Sequence, residues 1–198
     1  MKQDILSFFA KRHSFYELNN IVPFSDKEIA RLIEENLKLY PSPFNSQSAR
    51  IVLLLGERHL KLWNIVLQTL IPLTPENKLT TLSEKISKFS KAYATILFYI
   101  DKNTVQSLKD KFPLYAANFD NWSYQANAIL QFMIWTSLAD NAIGANLQHY
   151  NPIIDEKVKA TFNISPDWEL VAQMPFGGIV STPAPHIVED IKKSFVIK

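Results

Sequence analysis

Residues 122–152, WSYQANAILQFMIWTSLADNAIGANLQHYNP, join the most apolar helical segment of the chain to an unusual polar turn. Ala128, Ile129, Leu130, Phe132, Met133, Ile134, Trp135, Leu138 and Ala142 point in nearly every direction around a 3.6-residue period, which predicts a helix buried on most of its sides. Asp120, Asn121 or Ser123 can cap its start, because a short side-chain oxygen there accepts a hydrogen bond from an otherwise unpaired backbone N–H. Gly144 is expected to end it in the left-handed conformation. Such a helix needs neighbours all round, supplied by the rest of the chain or by a second subunit. Asn127, Gln131, Asp140 and Asn141 interrupt the apolar run, which stays short of the roughly 20 residues needed to cross a bilayer, so no membrane association is expected.

Upstream, residues 5–11 read as a short amphipathic helix that buries Ile5, Leu6, Phe8 and Phe9 and delivers Lys11, Arg12 and His13, followed by Ser14. Cations there complement the partial negative charge of a helix C-terminus. The same cluster can instead hold an anion, with Arg12 as a bidentate fork and Ser14 as a hydroxyl donor. Ser25 caps a second helix and Glu28 completes a capping box, with Ile29, Leu32, Ile33, Leu37 and Tyr40 facing inward. That helix stops at PSPFNSQSAR (41–50), a loop rich in donors and acceptors. It is either a plain connector or a binding element held against the buried strand IVLLL that follows Arg50.

Gly56 ends that strand and opens a third helix, with Leu60, Trp63, Val66, Leu67 and Leu70 inward and His59 on an exposed turn. Residues 72–81 read as a mobile polar connector, 82–93 as a surface helix and ATILFYID (94–101) as a second buried strand. A short helix covers 105–111, and Phe112, Tyr115, Phe119 and Trp122 form either core or a binding wall. After the central helix come GANLQHYNP as a short strand or extended turn, a helix over 155–162, and a strand WELVAQMPFGG ended by Pro175 and Gly177. The terminal IKKSFVIK alternates like a further strand. The sum is an α+β fold in one domain spanning residues 1–198, a central mixed or antiparallel sheet covered by helices.

Composition narrows the function. With 47% hydrophobic and 20% charged residues the 198-residue chain is an ordinary globular protein, and a net charge of +2 is too small to suggest a nucleic-acid surface. The absence of cysteine removes disulfides, thiolate catalysis and cysteine metal sites, and it fits a reducing cytoplasm. The opening MKQDILSFFAKRHS is too charged for a secretory signal, so a cytoplasmic location is expected. Only four glycines occur, Gly56, Gly144, Gly177 and Gly178, which excludes both G-x-x-x-x-G-K-[ST] and G-x-G-x-x-G. His13, His59, His149 and His186 lack paired metal-ligand spacing, and there is no G-x-S-x-G elbow. No metal site is expected. His149, beside the glycine turn, reads as either structural or catalytic.

RHSFYELN, PSPFNSQSARIVLLLGERHLKLW, FPLYAANFDNWSYQA, IGANLQHYNP and AQMPFG, in this order and spacing, resemble the nitroreductase family of FMN-dependent oxidoreductases, across nearly the whole chain. They are most similar to its small bacterial and fungal branch, typified by the yeast fatty-acid-repression protein. The resemblance implies a homodimer formed through long helices, with one FMN in each of two interface clefts. On that footing Arg12 and Ser14 match the phosphate-binding motif, with His13 contributing backbone contacts. Pro41, Ser42, Pro43 and Asn45 match the loop a partner lays along the isoalloxazine, with Gln47 near its polar edge. Gln148 and His149 match the turn whose backbone N–H faces the reactive flavin nitrogen. FMN needs a cationic phosphate pocket, hydrogen bonds along the pyrimidine edge and an apolar bed.

Two positions depart from the family pattern. Tyr16 stands where many members carry lysine, and Arg50, placed after NSQS, is the candidate replacement cation. Near the C-terminus Lys193 or Lys192 falls close to the family's basic residue for the phosphate, although Ser194 can occupy that place. The implied activity is ping-pong: NAD(P)H, a transient donor, passes a hydride to FMN and leaves, and a nitroaromatic or quinone then accepts electrons in the same cleft. No side chain acts as a nucleophile, and the absent dinucleotide fingerprint is consistent with a transient nicotinamide substrate. The alternative is a non-catalytic flavin-binding or regulatory protein on the same fold.

Overall fold

In the computed structural model, which describes residues 4–183, 190 and 194–197, the unbroken apolar run ATILFYID forms β3 (Ala94–Asp101), buried along nearly its whole length. A strand covered on both faces has no polar side to alternate with, which is why the run is continuous. β2 (Ala49–Leu55) and β5 (Trp168–Ile179) flank it antiparallel, with Ile96 opposite both Leu53 and Met174. β1 (Leu18–Asn19) and β4 (Ile143–Ala145) pair with the far end of β5. Every described ladder is antiparallel, and a parallel relation survives only in an isolated bridge between Ser14 and Ala145.

Successive residues of β3 supply two cores. Ala94, Ile96 and Phe98 pack with Ile29 and Ile33 of α2 (Asp26–Leu39) and with Leu130, Ile134 and Leu138 of α6 (Phe119–Asp140). Leu97 and Tyr99 face the opposite layer. There they meet Leu62, Trp63 and Val66 of α3 (Gly56–Leu70), Ile86 and Phe89 of α4 (Leu79–Ser90) and Val158 of α7 (Asp155–Phe162). The remaining helices are α1 (Asp4–Ala10) and α5 (Lys102–Lys111), the latter capped by the Asp101 carboxylate, which accepts from the Asn103 and Thr104 amides. α2 carries the expected box: the Ser25 hydroxyl accepts from the Glu28 amide while the Glu28 carboxylate accepts from the Ser25 amide at 2.8 Å.

Several sequence expectations give way. α6 starts at Phe119 without a side-chain cap, because the 3-10 turn Pro113–Asn118 feeds chain already near helical geometry into it. Asp120 instead pairs with Lys102 and Lys109. Ala142, at φ 58°, makes the left-handed exit expected of Gly144. Gly144 lies within β4, where an added Cβ would sit 2.8 Å from Ile179 and Leu18 side-chain atoms. Pro175 and Gly177 do not end β5, which runs on to Ile179; glycine is needed at 177 because a Cβ would meet the Asn19 carbonyl oxygen at 2.2 Å. The connector 72–81 is built from two 3-10 turns, Ile71–Leu73 and Glu76–Lys78, with α4 already begun at Leu79.

Burial departs in a patterned way. β2 is an edge strand, half-buried rather than buried. On α3, Leu60 is exposed and His59 is buried, the reverse of expectation, because Leu62, Trp63 and Val66 define the inward face. Ile5, Leu6 and Phe9 of α1 are exposed, as are Tyr124, Ile129 and Phe132 of α6, and the Phe9 and Phe132 rings lie 5.3 Å apart. α6 is covered by its own chain on most sides, as its sequence predicts, with one stripe including Tyr124, Ile129 and Phe132 left exposed. Residues 194–197 form no strand, and Lys192 and Lys193 lie outside the described residues. Among the described residues no helix is long and apolar enough to cross a membrane.

Candidate functional site

The cationic segment predicted from the sequence is positioned by backbone hydrogen bonds. Ser14 bridges Ala145 of β4, the Phe15 amide donates to the Ala145 carbonyl at 3.0 Å, and Asn146 Nδ2 donates to the Phe15 carbonyl at 2.7 Å. This lays Arg12, His13 and Ser14, all half-buried, beside the turn that carries Gln148 and His149. The Arg12 guanidinium sits 4.5 Å from the Trp135 ring centroid on α6. A cation–π contact orients the guanidinium without neutralising it, so its charge stays available to an anion. The Trp135 indole N–H is buried and has no partner among the described residues. His13 stands edge-on to Phe15 at 6.2 Å.

Beneath this corner runs a relay of buried amides. Gln148 Nε2 donates to Asn146 Oδ1 at 2.8 Å, and the Gln148 and Gln173 backbones exchange bonds of 2.7 and 2.9 Å. Gln173 Oε1 accepts from the Tyr150 amide at 2.8 Å, and its Nε2 donates to Asn151 Oδ1 at 3.2 Å. Asn146 and Gln173 are fully buried. A buried amide left unpaired costs about 1–3 kcal/mol, so this closed chain holds the turn rigidly. Gln148 is committed to the relay, both side chain and backbone, whereas His149 projects to solvent. Sequence reasoning missed Asn146 and Gln173; the available signal was an amide residue inside each of two strongly apolar segments, IGANL and VAQMPF.

The loop 41–47 is built differently. Pro43–Asn45 form a 3-10 turn in which Phe44 and Asn45 have φ 55° and 50°, and Gln47 follows at 47°. Asn tolerates the left-handed region, but Phe and Gln do not, at a cost of order 1–3 kcal/mol each. Local bonds hold the turn: Asn45 N to Ser42 O, Ser46 N to Pro43 O and Gln47 N to Ser42 Oγ, each 3.0 Å. Asn45 and Gln47 are exposed and linked side chain to side chain at 3.2 Å. Phe44 packs on the aromatic group nominated as core or wall, its centroid 4.7 Å from Phe112 and 6.1 Å from Trp122.

Arg50 closes the loop on the inner side. It donates to Asp101 Oδ2 at 2.6 Å, to the Gln47 carbonyl at 2.7 Å and to the Ala49 carbonyl at 3.0 Å. The structure thus gives this guanidinium a bracing task, with its charge balanced by Asp101.

One chain does not bring the two groups together. Arg12 stacks on Trp135 and Phe44 on Trp122, thirteen residues apart along α6, about 20 Å at the helical rise. A cavity of about 800 Å³ lies apart from both, lined by Glu17, Leu18, Gly56, His59, Tyr93 and Val180 among others, and none of the nominated residues borders it. There His59 Nδ1 meets Thr95 Oγ1 at 2.8 Å and Nε2 the Ser90 carbonyl at 3.2 Å, and burial lowers the imidazole pKa. That is a structural histidine. At the start of α7, burial pushes the Asp155 carboxyl up to about 6. Its Oδ1, like the Tyr99 and Tyr150 hydroxyls, is buried without a partner among the described residues.

The family model described as Nitroreductase family matches residues 9–178. The putative nitroreductase HBN1 of Saccharomyces cerevisiae is 29% identical over 180 residues, covering 90% of this chain and 89% of its own. The solved structure of nitroreductase CinD from Lactococcus lactis, in complex with chloramphenicol, is similar with a TM-score of 0.89 at 34% identity, covering 98% of this chain and 99% of that one. A nitroreductase with bound FMN from Desulfitobacterium hafniense shares the fold alone, with a TM-score of 0.75 at 18% identity and full coverage of both chains.

Proposed function

Since this chain belongs to the nitroreductase family, we propose that it is an FMN-dependent oxidoreductase that takes reducing equivalents from NAD(P)H and delivers them to nitroaromatic or quinone acceptors. The observation that carries this reading is the corner of Arg12, His13 and Ser14, pinned to β4 beside a rigid amide relay.

The donor set fits the cofactor. Arg12, with its charge unneutralised by the Trp135 ring, and the Ser14 hydroxyl would hold the phosphate, and Lys193 is a further candidate outside the described residues. The exposed His149 would present its backbone N–H to the ring system, while Gln148 acts from below by keeping the turn in place. Pro41, Ser42, Pro43, Asn45 and Gln47 would line the polar edge from a second copy. The span of about 20 Å between loop and corner supports that division, and so does the apolar stripe of Phe9, Ile129 and Phe132, which its own chain covers only in part. FMN, when bound, supplies two-electron chemistry that separates oxidation of the nicotinamide donor from reduction of the acceptor. The chain's own contribution is to bind, to orient and to exclude water.

The first test is the visible spectrum of the purified protein, followed anaerobically after NADH and then NADPH. Flavin bands that bleach with either donor are expected. A colourless protein that takes up no added FMN would remove the assignment.

A flavin-binding protein without turnover is the second reading. Tyr16, half exposed, supplies no cation at the position where the family resemblance leads lysine to be expected, and Arg50 is charge-balanced by Asp101. Bound flavin that stays oxidised under both donors would select it.

A further inference from the structure

The loop 41–47 contains a local contradiction. Phe44 occupies φ 55°, ψ 23°, a conformation that glycine adopts without steric cost and a bulky side chain resists. Where a local preference is overridden, something outside the segment compensates. Here the compensation is visible in the ring. It lies 4.7 Å from Phe112, 5.7 Å from Tyr115, 5.4 Å edge-on to Phe119 and 6.1 Å stacked against Trp122. Phe112 is the C-cap of α5, and the N-cap of the same helix, Asp101, binds the Arg50 that donates to the Gln47 carbonyl. Both ends of the strained turn are therefore braced from the two ends of one helix.

We propose that Phe44 is a positioning residue: its ring, seated in the Phe112–Phe119–Trp122 cluster, holds the left-handed turn of residues 42–47 and so sets where Asn45 and Gln47 stand for the cofactor. The loop geometry follows from the contacts within this chain. Only the consequence for the cofactor rests on the flavin reading.

The test begins without cofactor. Hydrogen exchange of the segment 42–47 is compared in the wild-type chain, Phe44→Ala, Phe44→Gly and Phe44→Tyr, with thermal unfolding as a check on folding. Loss of the ring is expected to speed exchange of the Asn45, Ser46 and Gln47 amides about tenfold, the scale of one aromatic contact. Phe44→Tyr should retain protection. Phe44→Gly is the decisive variant, since it relieves the backbone strain while deleting the ring: protection equal to wild type would overturn the proposal. Phe112→Ala should loosen the same amides from the other side, and adding Phe44→Ala to it should change little more.

FMN titration then reads the consequence, with a Kd raised about tenfold in Phe44→Ala and restored in Phe44→Tyr. A loosened loop with unchanged FMN affinity would overturn the positioning role. If the wild-type chain binds no FMN while the variants still loosen the loop, the flavin reading fails and the brace stands.

Discussion

The corner of Arg12, His13 and Ser14 carries a cation, an imidazole and a hydroxyl, the loop carries the carboxamides of Asn45 and Gln47, and the two are held by different means. The corner is held by the sheet: a bridge to Ala145, backbone hydrogen bonds and a relay of buried amides, with no residue at positive φ in 12–15 or 145–151. The loop has three residues at positive φ and adds to its own short turn bonds two side-chain braces, a phenylalanine in an aromatic seat and an arginine on a carboxylate. A backbone ladder tolerates exchange of the side chains it carries, whereas a turn braced by two side chains depends on both. The corner should therefore keep its shape through surface substitutions, and the loop should be the adjustable part.

The severest way to break this comparison is to keep two copies apart. Phe132→Glu places a charge on the exposed apolar stripe of α6, beside Phe9. It is expected to give a monomer by light scattering and to abolish flavin retention, because loop and corner stand about 20 Å apart along one chain's α6. A monomer that still carries one FMN per chain would show that a single copy suffices.

Next in size, Arg12→Ala should weaken FMN about tenfold to a hundredfold, as expected for a hydrogen-bonded charge, with little change in unfolding temperature. Calorimetric titration decides it. Asn146→Ala probes the support beneath: the Phe15 carbonyl and the Gln148 amide lose their partner, at a cost of about 1–3 kcal/mol in denaturant unfolding. Asn45→Gly, which keeps the left-handed backbone free of strain and deletes only an exposed side chain, should stay within about 0.5 kcal/mol. Equal effects from the two asparagines would erase the distinction between a buried scaffold and a surface-braced loop.

A small effect confined to higher pH comes from Asp155. Its carboxyl is raised by burial first, with Glu169 and Glu156 adding and Lys159 opposing. A carboxyl that holds its proton more tightly folded than unfolded favours the fold below the unfolded value, and this contribution fades as pH rises from about 4 to about 6. Asp155→Asn should therefore stabilise the protein above pH 6, by at most about 1 kcal/mol after solvent screening, and give no gain near pH 4. Unfolding temperatures across that range test it, with no effect expected on the corner.

The parts legible in the sequence share a property. ATILFYID became β3 without a residue's error, and Ser25 with Glu28 marked the start of α2, since continuous apolarity and a capping box are local statements. The residue types of the corner were legible for the same reason. What escaped depends on distant partners. His59 turned inward because Thr95 and Ser90 wait for it, and Arg50 is taken by Asp101, 51 residues on. The apolar residues of α1 were read as buried because periodicity reports which face is apolar, not what covers it.

By itself the sequence determined the strands and helices whose periodicity and caps are local, the exclusion of phosphate-loop, dinucleotide and cysteine chemistry, and the motifs that pointed to the nitroreductase family. Tertiary structure alone decided that an asparagine and a glutamine form the hidden support of the corner. It also decided that a strained turn is braced from both ends of one helix, and that corner and loop stand at opposite ends of α6. The physical reason is that backbone preference acts over a few residues, whereas burial, pairing of polar groups and the separation of sites are set by chain segments that meet only when the protein folds.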